Sequence, residues 1–142
     1  MSIESDYRQW TRLVTLHGRV EQRLTEALQT QHALGLSEYR ALCHLASAED
    51  GELRMQELSD LTGLNQSSVT RLVHRLEKTG LAERSHCAND RRGVYTVITD
   101  LGRRRQADAR PTYAETLSGT LDDVASREES LTTLVGRLRA TR

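Results

Sequence analysis

Apolar residues return every three or four positions along the start of the chain, at Trp10, Leu13, Val14, Val20, Leu24, Ala27 and Leu28. That period matches one face of an α-helix, so the spacing predicts a long first helix from Tyr7 to Thr30, with Gly35 marking its end. Ser37 is a good N-cap for a second helix with Leu42, Leu45 and Ala46 inward, ending near Asp50-Gly51. Met55, Leu58 and Leu61 define a short third helix stopped by Gly63. Asn65 then caps a fourth, whose apolar stripe is Val69, Leu72, Val73 and Leu76 and whose end is signalled by Gly80.

From Leu81 the pattern becomes extended, and Leu81 to Cys87 and Val94 to Ile98 read as two short strands. The turn formers of Ala88-Asn89-Asp90-Arg91-Arg92-Gly93 between them suit a hairpin. Thr99 can cap a fifth helix, which Pro111 is expected to kink or break because proline lacks the donor for the carbonyl four residues back. Ser126 and Glu129 are spaced as a capping box before a last helix with Leu131, Leu134, Val135 and Leu138 on one face. The expected fold is mainly α with a small β hairpin, in one domain over residues 1–142. Residues 36–99 form its compact lobe, and residues 1–35 and 100–142 form the terminal helices. Those helices carry more apolar surface than so small a lobe can cover, so a second copy of the chain is the economical partner.

Residues 55–72 have helix-turn-helix spacing. Leu58 and Leu61 pack the first helix, small Ser59 lets the two approach, Gly63 supplies the turn, and Val69 and Leu72 anchor the second. With those two inward, Ser67, Arg71, His74 and Lys78 point outward and Ser68, Thr70 and Arg75 flank them, giving a face of donors. Any amphipathic helix has a polar face. The hairpin directly after this one shifts the reading, because a tip with Arg91 and Arg92 beside Asp90 has the shape of a wing that enters a minor groove.

Charge supports the same reading only through its distribution. The 142 residues are formally neutral, which taken globally counts against nucleic acid. Residues 71–110, however, hold ten Lys/Arg against five Asp/Glu, a surplus of +5, and the rest of the chain balances it at −5. Nineteen of the twenty cations are arginine, as GC-rich coding would produce. No apolar run reaches the roughly 18 residues of a membrane span. The first residues, Met1-Ser2-Ile3-Glu4-Ser5-Asp6, have no apolar segment of a secretory signal, so a cytoplasmic location is expected. Cys43 and Cys87 lack CxxC spacing, the five histidines lack metal spacing, and no nucleophile and base stand together. Neither an enzyme nor a cofactor or metal is expected.

The run Ser67-Ser68-Val69-Thr70-Arg71-Leu72-Val73-His74-Arg75-Leu76-Glu77-Lys78-Thr79-Gly80-Leu81, then Arg84, Asp90-Arg91-Arg92 and Ile98-Thr99-Asp100-Leu101-Gly102, resembles the MarR family of winged helix-turn-helix regulators. Ile98 stands where leucine is more usual, and the resemblance extends over nearly the whole chain. It implies a homodimer joined by the terminal helices that binds pseudo-palindromic double-stranded DNA. Such a regulator is often a repressor, released by a small aromatic ligand or by thiol oxidation. On this reading the DNA-binding set is Gln66, Ser67, Ser68, Thr70, Arg71, His74, Arg75, Arg84, Asp90, Arg91 and Arg92. Arg92 is preferred to Arg91 as the groove-inserted residue, since it holds the family's Asp-x-Arg position, with Asp90 orienting it. Candidate ligand residues are Trp10, His17, Tyr39 and Tyr113, each also explicable as core or interface. Cys43 is expected to be a small buried filler, and Cys87, at a strand end, an exposed and oxidisable thiol. The alternative from another class is a winged-helix module that binds protein and not DNA, which would need neither the basic tip nor the donor face.

Overall fold

The computed structural model describes residues 2–86 and 93–140, so the hairpin tip, with Asp90, Arg91, Arg92 and Cys87, lies outside the described residues. The elements run α1 (Ile3–His32), α2 (Leu36–Ser47), β1 (Glu52–Arg54), α3 (Met55–Thr62), α4 (Gln66–Lys78), β2 (Ala82–His86), β3 (Val94–Ile98), α5 (Asp100–Arg127) and α6 (Glu129–Ala140). The architecture is mainly α with one small antiparallel sheet, and it divides into two compact units. No helix among the described residues is long and apolar enough to cross a membrane.

One unit comprises residues 32–110. Its core is built from the inward faces of three helices: Leu36, Tyr39, Ala41, Leu42 and Leu45 of α2, Leu58 of α3, and Val69, Leu72, Val73 and Leu76 of α4. The α4 stripe is the predicted one. Elsewhere the boundaries moved. Gly35, not Ser37, caps α2: its carbonyl accepts from Tyr39 N, and its N–H donates to the Glu38 carboxylate at 3.3 Å. A glutamate three residues on can satisfy the cap from within the helix, which makes a capping side chain at Ser37 unnecessary. Ala46 is only half-buried and Leu61 is 51% exposed, so Leu58 is the one leucine of α3 in the core.

The sheet order is β1-β3-β2, with Ala82↔Ile98 to His86↔Val94 paired on one side of β3 and Glu52↔Val97 to Arg54↔Tyr95 on the other. Strand β1 was not anticipated. Asp50 and Gly51, at φ +58° and +67°, reverse the chain into it. Its last residue anchors both neighbours: Arg54 N donates to Glu57 Oε1 at 3.0 Å at the start of α3, and Arg54 Nε donates to the Tyr95 hydroxyl of β3 at 3.0 Å.

Helix α4 ends in a reversal with Gly80 at φ +76°, where Gly80 N donates to Glu77 O and Leu81 N to Leu76 O. Thr99 pins that reversal to the start of α5. Its hydroxyl donates to Gly80 O at 2.6 Å and accepts from Gly102 N at 3.0 Å, while its backbone N–H donates to Leu81 O. The backbone of Leu81 passes so close to Gly102 that a Cβ there would overlap the Leu81 carbonyl oxygen and stand 2.8 Å from Ile98 Cγ1. Gly102→Ala is therefore expected to cost about 2–3 kcal/mol or more in urea unfolding, since backbone cannot yield as a side chain tip can. A loss under 0.5 kcal/mol would show that the contact relaxes.

The second unit comprises residues 1–31 and 111–142. Leu16, Val124, Leu131 and Val135 form its core, with Val20, Leu121, Ala125 and Leu134 packed against it. Arg23 and Arg127 both pair with Asp123, at 2.6 and 2.8 Å, Arg139 pairs with Asp122 at 2.6 Å, and Arg19 pairs with Glu128. Two element boundaries differ from the expected ones. Helix α5 continues through Pro111 without a break. Pro111 and Ala107, whose carbonyl loses its donor, are both exposed, so water can satisfy the orphaned oxygen. Ser126 does not cap α6. It lies in the last turn of α5 and donates to Asp123 O, and α6 follows after the single residue Glu128.

Candidate nucleic-acid interface

The turn between α3 and α4 is closed from both sides. Gly63, at φ +73°, takes the left-handed conformation that ends α3, and its N–H donates to Ser59 O. The Ser59 hydroxyl donates to Leu64 O at 2.6 Å, so this residue ties the turn as well as leaving room for the second helix. Asn65 Oδ1 then accepts from Ser68 N and from the Ser67 hydroxyl, both at 2.9 Å, which starts α4 at a fixed angle.

The burial of Val69, Leu72, Val73 and Leu76 leaves Gln66, Ser67, Thr70, Arg71, His74 and Arg75 exposed and Ser68 half-exposed. Arg84 of β2 joins them: Thr70, Arg71, His74, Arg75 and Arg84 line one shallow concavity. Five of the eight described residues singled out for DNA thus stand around a single depression. Their hydrogen bonding corrects the picture of a face made only of donors. The Ser67 proton goes to Asn65, and the Thr70 hydroxyl donates to Gln66 O at 2.9 Å, so both present lone pairs outward. Arg71 reaches back to Ser68 Oγ at 3.3 Å. Arg75 Nε donates to Glu38 Oε1 at 3.2 Å, and Arg84 Nε donates to Glu77 Oε1 at 2.6 Å.

Sequence reasoning had assigned nothing to Glu38 or Glu77, since neither pairing follows a local rule. Gln56 on α3 was also missed; its side-chain oxygen accepts from Gln66 Nε2 at 3.2 Å. The ligand candidates are divided between the two units. Tyr39 is buried in the core of the 32–110 unit. In the other unit Trp10 is 64% exposed, Tyr113 is half-buried, and His17 stands on the surface 3.7 Å from Glu21. Cys43 is half-buried rather than buried, with Gln106 Nε2 donating to its sulfur at 3.4 Å. Among the described residues no group of three or more His, Cys, Asp or Glu is placed to hold a metal ion.

Comparison with known proteins gives this lobe a lineage: residues 34–93 match the model of the MarR family. That segment carries the MarR family's signature. Along 72 residues it is 36% identical to the transcriptional repressor MprA of Escherichia coli, an alignment over 49% of this chain and 41% of that one. This chain therefore spans less than half the length of that curated relative. Among solved MarR structures, Sco3205 of Streptomyces coelicolor, determined in complex with DNA, superposes with a TM-score of 0.78 at 25% identity, over 98% of this chain and 86% of the other. CouR of Rhodococcus jostii RHA1, solved bound to p-coumaroyl-CoA, superposes with a TM-score of 0.68 at 25% identity, over 89% and 83%.

Proposed function

We infer that this chain is a MarR-family transcriptional regulator, acting as a repressor, that binds an inverted-repeat operator in double-stranded DNA as a homodimer. The observation that carries the reading is the cluster of Arg71, His74, Arg75 and Arg84 around one concavity on the exposed side of α4. A helix presenting such side chains fits the major groove, where arginine reads guanine bidentately. Sco3205, similar in fold and solved with DNA, supports the same mode. In this reading Gln66, Ser67, Ser68, Thr70 and Arg71 approach base edges and phosphates from the start of α4, Arg84 meets phosphate, and Arg92 enters the minor groove beside the helix. Release by a small aromatic effector draws its support from CouR, solved with p-coumaroyl-CoA, whose acyl group is aromatic.

The test is a mobility-shift titration on the DNA upstream of the chain's own coding region, with and without excess random competitor. Arg71→Ala is expected to cost about 1–3 kcal/mol on the operator and to relax preference at one base pair, with little change on random DNA. Arg84→Ala is expected to weaken both alike. Equal losses on operator and random DNA for Arg71→Ala would remove its role in reading sequence.

A further inference from the structure

Two of the arginines around the concavity are held in the same way. Each is gripped at Nε by a glutamate from a different element: Arg75 of α4 by Glu38 of α2, and Arg84 of β2 by Glu77 of α4. The glutamates are the more buried members, with side chains 19% and 29% exposed against 51% and 45% for the arginines. Glu38 is itself anchored, because its other carboxylate oxygen accepts from Gly35 N. A carboxylate on Nε fixes the plane of the guanidinium but leaves its terminal nitrogens as a fork, and in both arginines that fork meets no partner among the described residues.

The geometry points to Glu38 and Glu77 as positioning residues for DNA recognition: they hold Arg75 and Arg84 with their terminal forks presented to the duplex. The inference rests on the DNA-binding reading of this face. An unbraced arginine loses rotamer freedom when it binds, and a braced one has already lost it, so the brace favours the geometry that fits the operator. Simple electrostatics gives the opposite expectation. A carboxylate beside a phosphate repels it, so removing either glutamate should strengthen binding to every duplex equally. Arg71, whose only described contact is the Ser68 hydroxyl, has no such brace and is the internal comparison.

The experiment measures affinity for two duplexes: one selected by the wild-type protein from a random pool, and a scrambled duplex of the same composition. Glu38→Gln and Glu77→Gln keep the shape of each side chain and remove its charge. Glu38→Gln is expected to lower the ratio of selected to scrambled affinity about tenfold, and Glu77→Gln to lower both affinities together about tenfold because Arg84 meets phosphate, each with the melting temperature within about 4 °C of wild type, since half-exposed ion pairs contribute little to folding. In an Arg75→Ala background, Glu38→Gln should change the ratio by less than twofold, because the residue it acts through is gone. A parallel rise in affinity for both duplexes would overturn the proposal in favour of plain repulsion, and so would an unchanged ratio with wild-type affinities. Failure of the wild type itself to bind either duplex would overturn the DNA reading as well, which separates the two.

Discussion

Raising monovalent salt from 50 to 200 mM is expected to weaken DNA binding by roughly 10³ to 10⁵, with log affinity falling against log salt at a slope magnitude of about 5–9 for a dimer. The basis is charge placement and not net charge, which is zero. Arg71, His74, Arg75 and Arg84 share one concavity, Lys78 ends the same helix, and residues 71–110 carry the +5 surplus. Three to five phosphates per subunit would each release condensed counterion, and that release is what the slope counts. Glu38 and Glu77 stand behind two of the cations and do not cancel the effect, because phosphate meets the outer fork. A slope near zero in fluorescence anisotropy would sink the DNA reading outright.

The second large effect concerns self-association. Ile3, Tyr7, Trp10 and Val14 fall on one stripe of α1 and are half or more exposed, and Leu138 of α6 is 51% exposed. Leaving so much apolar surface in water is unusual for a soluble monomer. Trp10→Glu and Val14→Glu together are expected to convert a dimer into monomers in light scattering. Operator affinity should then fall by on the order of 10² to 10⁴, because each half-site binds alone once the link between them is lost. Point substitutions are the right tool because removing residues 124–142 would delete Val124, Leu131 and Val135 from the core around Leu16 and unfold the unit for an unrelated reason. A double variant that stays dimeric and keeps its affinity would place the interface elsewhere.

The chain discloses its fold unevenly, for physical reasons. The α4 stripe is legible because four buried residues in thirteen, a capping asparagine and two flanking glycines all agree. Strand β1 is illegible because three residues cannot show a period of two, and its partner Tyr95 lies forty-one residues downstream of Arg54. In α1 the apolar positions are real, but hydrophobicity says only that a face must be covered, not by what. Leu16, absent from the predicted stripe, is in the core, while Trp10 and Val14, at its head, are exposed. In α6 the predicted face divides: Leu131 and Val135 are satisfied within the chain and Leu138 is not. The recognition residues were visible as an outward polar set. Their bracing was not, because Glu38 and Arg75 are thirty-seven residues apart and no local spacing rule connects them.

The pin at Thr99 alters how a genetic map of this protein would read. Its hydroxyl joins the end of α4 to the start of α5, and Gly102 keeps the space for Leu81 that this junction needs. Neither residue lies on the exposed face of α4. Alleles at codons 99 and 102 would nonetheless cluster with loss-of-binding alleles in a screen for lost DNA binding, because they release the far end of the helix that carries Arg71 and Arg75. A binding footprint inferred from phenotype alone would then extend across residues that never approach the duplex, and suppressors would be sought at the wrong surface.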